Sequence, residues 1–108
     1  MERKKKIKIP KINEEIISKL EEAAEKVGLE VRYEQISKPG YLGGVCRVKD
    51  KWVVIINRAS FPVEKAQVIA EAIMSKNPDN VYLSPDVREV IEWFSLEKER
   101  SSNDKNPD

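Results

Sequence analysis

Gly43–Asn57, GGVCRVKDKWVVIIN, carries the one long run of β-forming residues in the chain and its clearest hairpin signal. With Asp50-Lys51 as a two-residue loop, Lys49 pairs with Trp52, Val48 with Val53, Arg47 with Val54, Cys46 with Ile55 and Val45 with Ile56. Lys51 is a poor residue for the positive φ that such a loop needs, so a three- or four-residue connection fits equally well. Alternation along the strands sends Cys46, Val48, Val53 and Ile55 to one side and Arg47, Lys49, Trp52, Val54 and Ile56 to the other. The first strand is half polar, whereas Trp52–Ile56 is apolar at every position. A strand apolar on both faces is normally covered on both. Either the chain's own helices share the two faces, which predicts a monomer, or one face is left for a partner, which predicts an oligomer.

Upstream, Ile16, Ile17, Leu20, Ala23, Ala24 and Val27 fall at helical spacing on one stripe, with Asn13 as N-cap and Gly28 as the closing left-handed residue. Glu30–Ile36 alternates weakly, with Val31, Tyr33 and Gln35 on one face, and reads as a half-exposed strand. Downstream, Pro62 suits the first position of a second helix with Ala66, Ile69, Ala70 and Ile73 as its stripe. Val81-Tyr82-Leu83 suits a short strand. Ser84 and Pro85 then open a third helix bearing Val87, Val90, Ile91 and Phe94. The expected fold class is α+β: a helix, a three-stranded mainly antiparallel sheet with the 44–57 hairpin central, then two helices. Residues 12–95 form the single domain, between a basic flexible leader over 1–11 and a disordered polar tail over 96–108.

The chain of 108 residues is long enough for one core without staples. Its 36% of charged residues and 6% of aromatics point to an aliphatic core under a densely charged surface, a composition that suits a heat-adapted organism. A single cysteine forms no internal disulfide, and no apolar run approaches the roughly 18 residues of a membrane helix. The expectation is a cytoplasmic protein with no membrane contact. Arg3, Lys4, Lys5, Lys6, Lys8 and Lys11 face Glu2 alone in the leader, a local +5 in a chain of total +1, which leaves −4 for the rest. Such an arm holds phosphates or an acidic partner, or serves as a solvated tail. Lys6-Ile7-Lys8-Ile9 alternates as an added edge strand would.

No pattern for catalysis emerges. With no histidine, there is no Ser-His or Cys-His nucleophile, and Cys46 reads as a packed structural cysteine. Ser37–Gly44, SKPGYLGG, holds three of the four glycines, but it leads into a strand rather than a helix and lacks a phosphate-loop pattern. No catalytic, cofactor-binding or metal-binding residue is assigned. The nearest thing to a site is the polar set at the hairpin's open end: Tyr41 on the glycine loop, and Asn57 and Arg58 after the apolar strand.

The run Gly43-Gly44-Val45-Cys46-Arg47-Val48, a short turn, Val54-Ile55-Ile56-Asn57-Arg58 and a Pro-Val-Glu-Lys-led helix resembles small bacterial proteins of uncharacterised function over about residues 12–94. More remotely, the layout is similar to the ImmA/IrrE-like zinc metallopeptidases, whose sheet feeds an Ile-Asn strand into an H-E-x-x-H helix. That resemblance places the zinc-binding turn near Glu71–Lys76, EAIMSK, with Ala72 and Lys76 at ligand-like positions. It therefore implies an inactive relative.

The function expected is a non-enzymatic protein-interaction or self-association module. Its candidate surface is Tyr41, Leu42, Arg47, Trp52, Val54, Ile56, Asn57 and Arg58. The alternative is nucleic-acid binding through the basic arm, helped by Arg47, Lys49, Lys51 and Arg58 but without an evident stacking platform.

Overall fold

A computed structural model describes residues 10–104. In chain order the elements are α1 (Glu14–Lys26), β1 (Leu29–Glu34), β2 (Gly43–Val48), β3 (Lys51–Asn57), α2 (Pro62–Ser75) and α3 (Pro85–Asp104). This is the α+β layout that the pattern predicts. The basic residues Arg3, Lys4, Lys5, Lys6 and Lys8, the alternating Lys6–Ile9 segment and the last four residues of the expected tail lie outside the described residues.

Each helix starts for a local reason. The Asn13 side chain accepts a hydrogen bond from the Ile16 N–H at 2.9 Å, which caps α1, and Gly28 ends it at φ +92°. Pro62 opens α2, where the Phe61 N–H donates to the Glu64 carboxylate at 2.8 Å. At the start of α3, the Asp86 carboxylate accepts from the Val87 N–H at 2.9 Å.

The strand order is β1-β3-β2, with β3 antiparallel to β2 and parallel to β1. The sheet is thus mixed rather than mainly antiparallel. After β1, residues 35–42 carry the chain past the end of the sheet to its far edge, and β3 returns between the other two. The most apolar strand takes the central position, where both of its edges are paired and its side chains are the most covered.

The hairpin loop is Lys49-Asp50, with Lys49 at φ 57°, rather than Asp50-Lys51. Val48 pairs with Lys51, Arg47 with Trp52, Cys46 with Val53 and Val45 with Val54, two residues away from the pairing expected. Side chains alternate with period two, so this slip leaves both face assignments unchanged.

Among the described residues, helices lie on one face only. Val54 and Ile56 of β3, with Leu29, Val31, Tyr33 and Val45 from the neighbouring strands, pack against Ile17, Leu20 and Ala24 of α1 and against Ala66, Ile69, Ala70 and Ile73 of α2 in one core. The third helix adds Val87, Val90 and Phe94 and packs against α2 and α1. The register sets Val53 and Ile55 on the opposite face, beside Gly44, Cys46 and Val48 of β2 and Glu30, Arg32 and Glu34 of β1. None of this second set except Val53 is fully buried, and none of it belongs to the helix-packed core.

Two further expectations change. Val81–Leu83 forms no strand: after α2 the chain runs directly into the α3 cap without reaching either edge of the sheet. The third helix continues through Leu96 to Asp104, into the stretch expected to be disordered, over a run of Glu, Lys and Arg with good helix propensity. Among the described residues, no helix is long and apolar enough to cross a membrane.

Candidate functional site

The candidate surface residues divide among three places. Val54 and Ile56 are fully buried beneath α1 and α2, so they offer no contact surface. This corrects the expected interaction face: the side of β3 that carries them is the side the chain's own helices cover. At the hairpin tip, the Arg47 guanidinium lies 5.2 Å from the Trp52 ring centroid, and the Lys76 ammonium lies 4.1 Å from it. Trp52, 37% exposed, therefore clasps the last residues of α2 to the hairpin. Lys49 is exposed in the adjoining loop, while Lys51 is exposed on the other face of the sheet, where it meets Glu30 at 3.7 Å.

At the opposite end of the sheet, Tyr41, Leu42, Asn57 and Arg58 come together. Among the described residues, Asn57 is the one buried polar side chain, 8% exposed. Its Nδ2 donates to the Tyr41 carbonyl at 2.8 Å and, more weakly, to the Ile36 carbonyl at 3.4 Å, while its Oδ1 accepts from the Ala59 N–H at 3.1 Å. The Asn57 backbone N–H donates to the Leu42 carbonyl at 2.8 Å, and its carbonyl accepts the Ser60 hydroxyl at 2.7 Å. One asparagine thus holds the glycine loop, the end of β3 and the approach to α2. Arg58 binds the end of β1, through its N–H to the Glu34 carbonyl at 2.8 Å and its Nη2 to the Tyr33 carbonyl at 3.3 Å.

The glycine loop enters β2 at Gly43, whose φ is +138°. A Cβ there would lie 2.0 Å from the Ile55 carbonyl oxygen. Only glycine lets the two backbones approach this closely. The loop's glycines therefore serve chain geometry, and no helix N-terminus follows them to hold a phosphate.

Several residues carry signals that pattern reading passes over. Phe61 is 70% exposed and Val63 45% exposed at the start of α2, and Tyr82 is 73% exposed in the α2–α3 connection. Phe61 stands at a cap position just before Pro62, a place outside the helical stripe, which would have marked it. The Tyr33 hydroxyl donates to the Glu21 carboxylate of α1, and Lys65 lies 5.5 Å over the Tyr33 ring. Burial, reinforced by the Glu21 charge, pushes the Tyr33 hydroxyl well above its usual pKa of 10.0. Between α1 and α3, Lys19 Nζ meets Asp86 Oδ2 at 2.6 Å, and the Ser84 hydroxyl donates to Oδ1 at 2.5 Å. The bond from Lys19, then that from Ser84, pulls the Asp86 carboxyl down to about 2, and the same pairing raises Lys19. Both contacts join elements of the fold.

Chemistry-bearing groups do not converge. Among the described residues, no group of three or more His, Cys, Asp or Glu side chains is arranged to hold a metal ion. In the Glu71–Lys76 segment, Ala72 is 2% exposed in the core and Lys76 lies on the Trp52 ring. The two positions that the metallopeptidase resemblance makes ligand-like thus carry packing and a clasp. A cleft of about 290 Å³ lies between α2 and α3, lined by Gln67, Glu71, Trp93, Phe94, Glu97 and Lys98. Gln67 donates to Glu71 across its floor at 3.2 Å.

The uncovered side of the sheet has two halves. On β1, Glu30 bonds Arg32 at 2.9 Å and meets Lys51 at 3.7 Å, so this half is a set of paired charges. Arg32 is held above its usual pKa chiefly by the Glu30 bond, and Glu30 is lowered by the same contact. On β2 and β3 the half is apolar, made of Gly44, Cys46, Val48, Val53 and Ile55. The chain is therefore an α+β domain with a mixed three-stranded sheet, helical on one side and amphipathic on the other. No protein-family model, curated protein or solved structure matches it.

Proposed function

We propose that this chain is a non-enzymatic protein-interaction module that associates with a second copy of itself through the side of the sheet its helices leave uncovered. The observation that carries this reading is the one-sided core: α1 and α2 both pack on the Val54 and Ile56 face, and Cys46, Val48 and Ile55 stand outside it. Sheets with a parallel pair and a central strand apolar on both faces are ordinarily covered on both sides. A second copy supplies the missing cover. Sedimentation velocity from about 1 to about 200 μM, the range in which weak dimers form, should show a concentration-dependent dimer. A chain that stays monomeric throughout that range refutes the reading.

A second reading, nucleic-acid binding, draws support from the hairpin tip. Arg47 and Lys76 lie over Trp52, so an aromatic ring does sit with two cations, and Lys49 is exposed in the adjoining hairpin loop. Arg58 lies at the other end of the sheet and takes no part. If this reading holds, binding of a single-stranded oligonucleotide pool weakens steeply with salt and is lost in the double variant R47A/K76A. Removal of residues 1–11 separates the contribution of the arm from that of the tip. Absence of salt-dependent binding refutes it.

A further inference from the structure

We infer that the second copy joins edge to edge at β2, so that two β2 strands pair antiparallel across a two-fold axis and the two sheets become one of six strands. The inference rests on the self-association reading and names the surface that makes the contact.

The strand order leaves β1 and β2 as edges. On β2, the direction of the free main-chain groups follows from one bond. The Asn57 N–H donates to the Leu42 carbonyl at 2.8 Å, so Leu42–Asn57 is a hydrogen-bonded pair of the ladder. Alternation makes Gly44, Cys46 and Val48 the residues bonded toward β3, and turns the N–H and C=O of Val45 and Arg47 outward. Among the described residues, nothing pairs with those outward groups.

Charge separates the two edges. On the uncovered face β1 carries Glu30, Arg32 and Glu34, the kind of charged edge that discourages strand addition. The same face of β2 carries Gly44, Cys46 and Val48, with no charge. Its one charged residue, Arg47, lies on the other face with its guanidinium over Trp52. A two-fold axis at β2 therefore brings no charged side chain together on the uncovered face, leaves each Arg47 on the other face over its own Trp52, and sets the apolar halves of both uncovered faces side by side. The charged β1 strands become the outer edges of the joined sheet. The contact is closed, because β2 is used up on both copies, so it stops at a dimer.

A two-fold axis normal to the sheet keeps each residue on its own face, which restricts the register to pairs of equal parity. Centred on Cys46, the two Cys46 residues oppose each other in a non-hydrogen-bonded pair, Cα atoms about 4.5 Å apart. Centred on Val45, they are diagonal neighbours about 7–8 Å apart. Either register brings the two thiols within reach of one short cross-linker, and only the first lets them oxidise directly to a disulfide.

The test uses the full chain at a concentration where sedimentation reports dimer, with a short bismaleimide and, separately, mild oxidation. Cross-linking through Cys46 to a covalent dimer is expected, abolished in Cys46→Ala. Val45→Pro removes one outward donor per copy without touching the β2–β3 ladder, and should weaken the dimer about thirtyfold while circular dichroism stays native. Cys46→Lys, which sets like charges across the axis, should do the same and stands in should the proline variant fail to fold. A dimer that cross-links nowhere at Cys46 and is indifferent to both variants overturns this inference and leaves the self-association reading standing. A monomer at every concentration overturns both.

Discussion

Replacing Asn57 with alanine tests whether this buried polar residue acts by holding the loop at the sheet's end. Two good side-chain bonds disappear, Nδ2 to the Tyr41 carbonyl at 2.8 Å and the Ala59 N–H to Oδ1 at 3.1 Å, with the longer one to Ile36 at 3.4 Å adding little. Each is worth about 1 kcal/mol net, and a partner left unsatisfied beside an 8% exposed site costs up to about 3 kcal/mol. A loss of about 2–3 kcal/mol follows, a large fraction of the roughly 5–15 kcal/mol that holds a domain together. In a domain of this size that lowers Tm by roughly 10–20 °C. Urea denaturation followed by circular dichroism measures the loss, with chymotryptic cleavage after Tyr41 as a local readout, since the loop should be released before the domain unfolds. Asn57→Asp keeps the acceptor for Ala59 but sets a carboxylate against the Tyr41 carbonyl, and should be no better than alanine. A loss under about 0.5 kcal/mol for Asn57→Ala, with cleavage after Tyr41 unchanged, refutes the account.

Four further outcomes follow from particular contacts. Gly43→Ala should lose about 3 kcal/mol or more in urea denaturation, because φ is +138° and the added Cβ falls 2.0 Å from the Ile55 oxygen; Gly40→Ala, at φ +79° with open space around it, should lose only about 1 kcal/mol. Ile56→Ala, at a fully buried site, should cost about 2–5 kcal/mol, and Ile55→Ala on the uncovered face only a fraction of that in the monomer; equal losses would mean the faces are misassigned. For pH, the folded Asp86 carboxyl sits at about 2, below its ordinary 3.8, so its contribution is present above 3.8 and is lost as pH falls toward about 2. Tm measured across that window should therefore fall more in the wild type than in Asp86→Asn. Tyr33 is raised above 10.0, so its contribution is complete below pH 10.0 and is lost as pH rises beyond it, a loss that Tyr33→Phe should remove.

The three helices were legible because their apolar stripes, caps and prolines are local: Asn13, Gly28, Pro62 and Pro85 mark positions where the structure starts or stops a helix. Strand order was not legible, since the parallel pairing of β1 with β3 depends on a loop crossing that no short spacing records. The hairpin register slipped by two because Asp50-Lys51 and Lys49-Asp50 are equally poor turns. Neither contains the glycine or asparagine that would fix the positive φ, and the chain sets it at Lys49. Of the candidate site, Tyr41, Asn57 and Arg58 are legible as one set because the glycine loop and the end of the apolar strand both fall at the hairpin's open end. The buried state of Val54 and Ile56 and the Lys76 clasp on Trp52 needed the tertiary packing of α2.

What decides the covered face is β1, the strand whose pattern is weakest. Both faces of β3 are apolar, and β2 offers Val45 to one side and Cys46 and Val48 to the other, so neither strand distinguishes the two. The parallel register places Leu29, Val31 and Tyr33 beside Trp52, Val54 and Ile56, and places Glu30, Arg32 and Glu34 beside Val53, Ile55 and Asn57. Helices over the second set would bury three charged side chains, at a desolvation cost that the paired Glu30 and Arg32 only partly offset. Helices over the first set bury none. The same asymmetry leaves the uncovered face charged at the β1 edge and neutral at the β2 edge. The residues that send α1 and α2 to one side of the sheet therefore also fix which edge of the other side is free to receive a second copy.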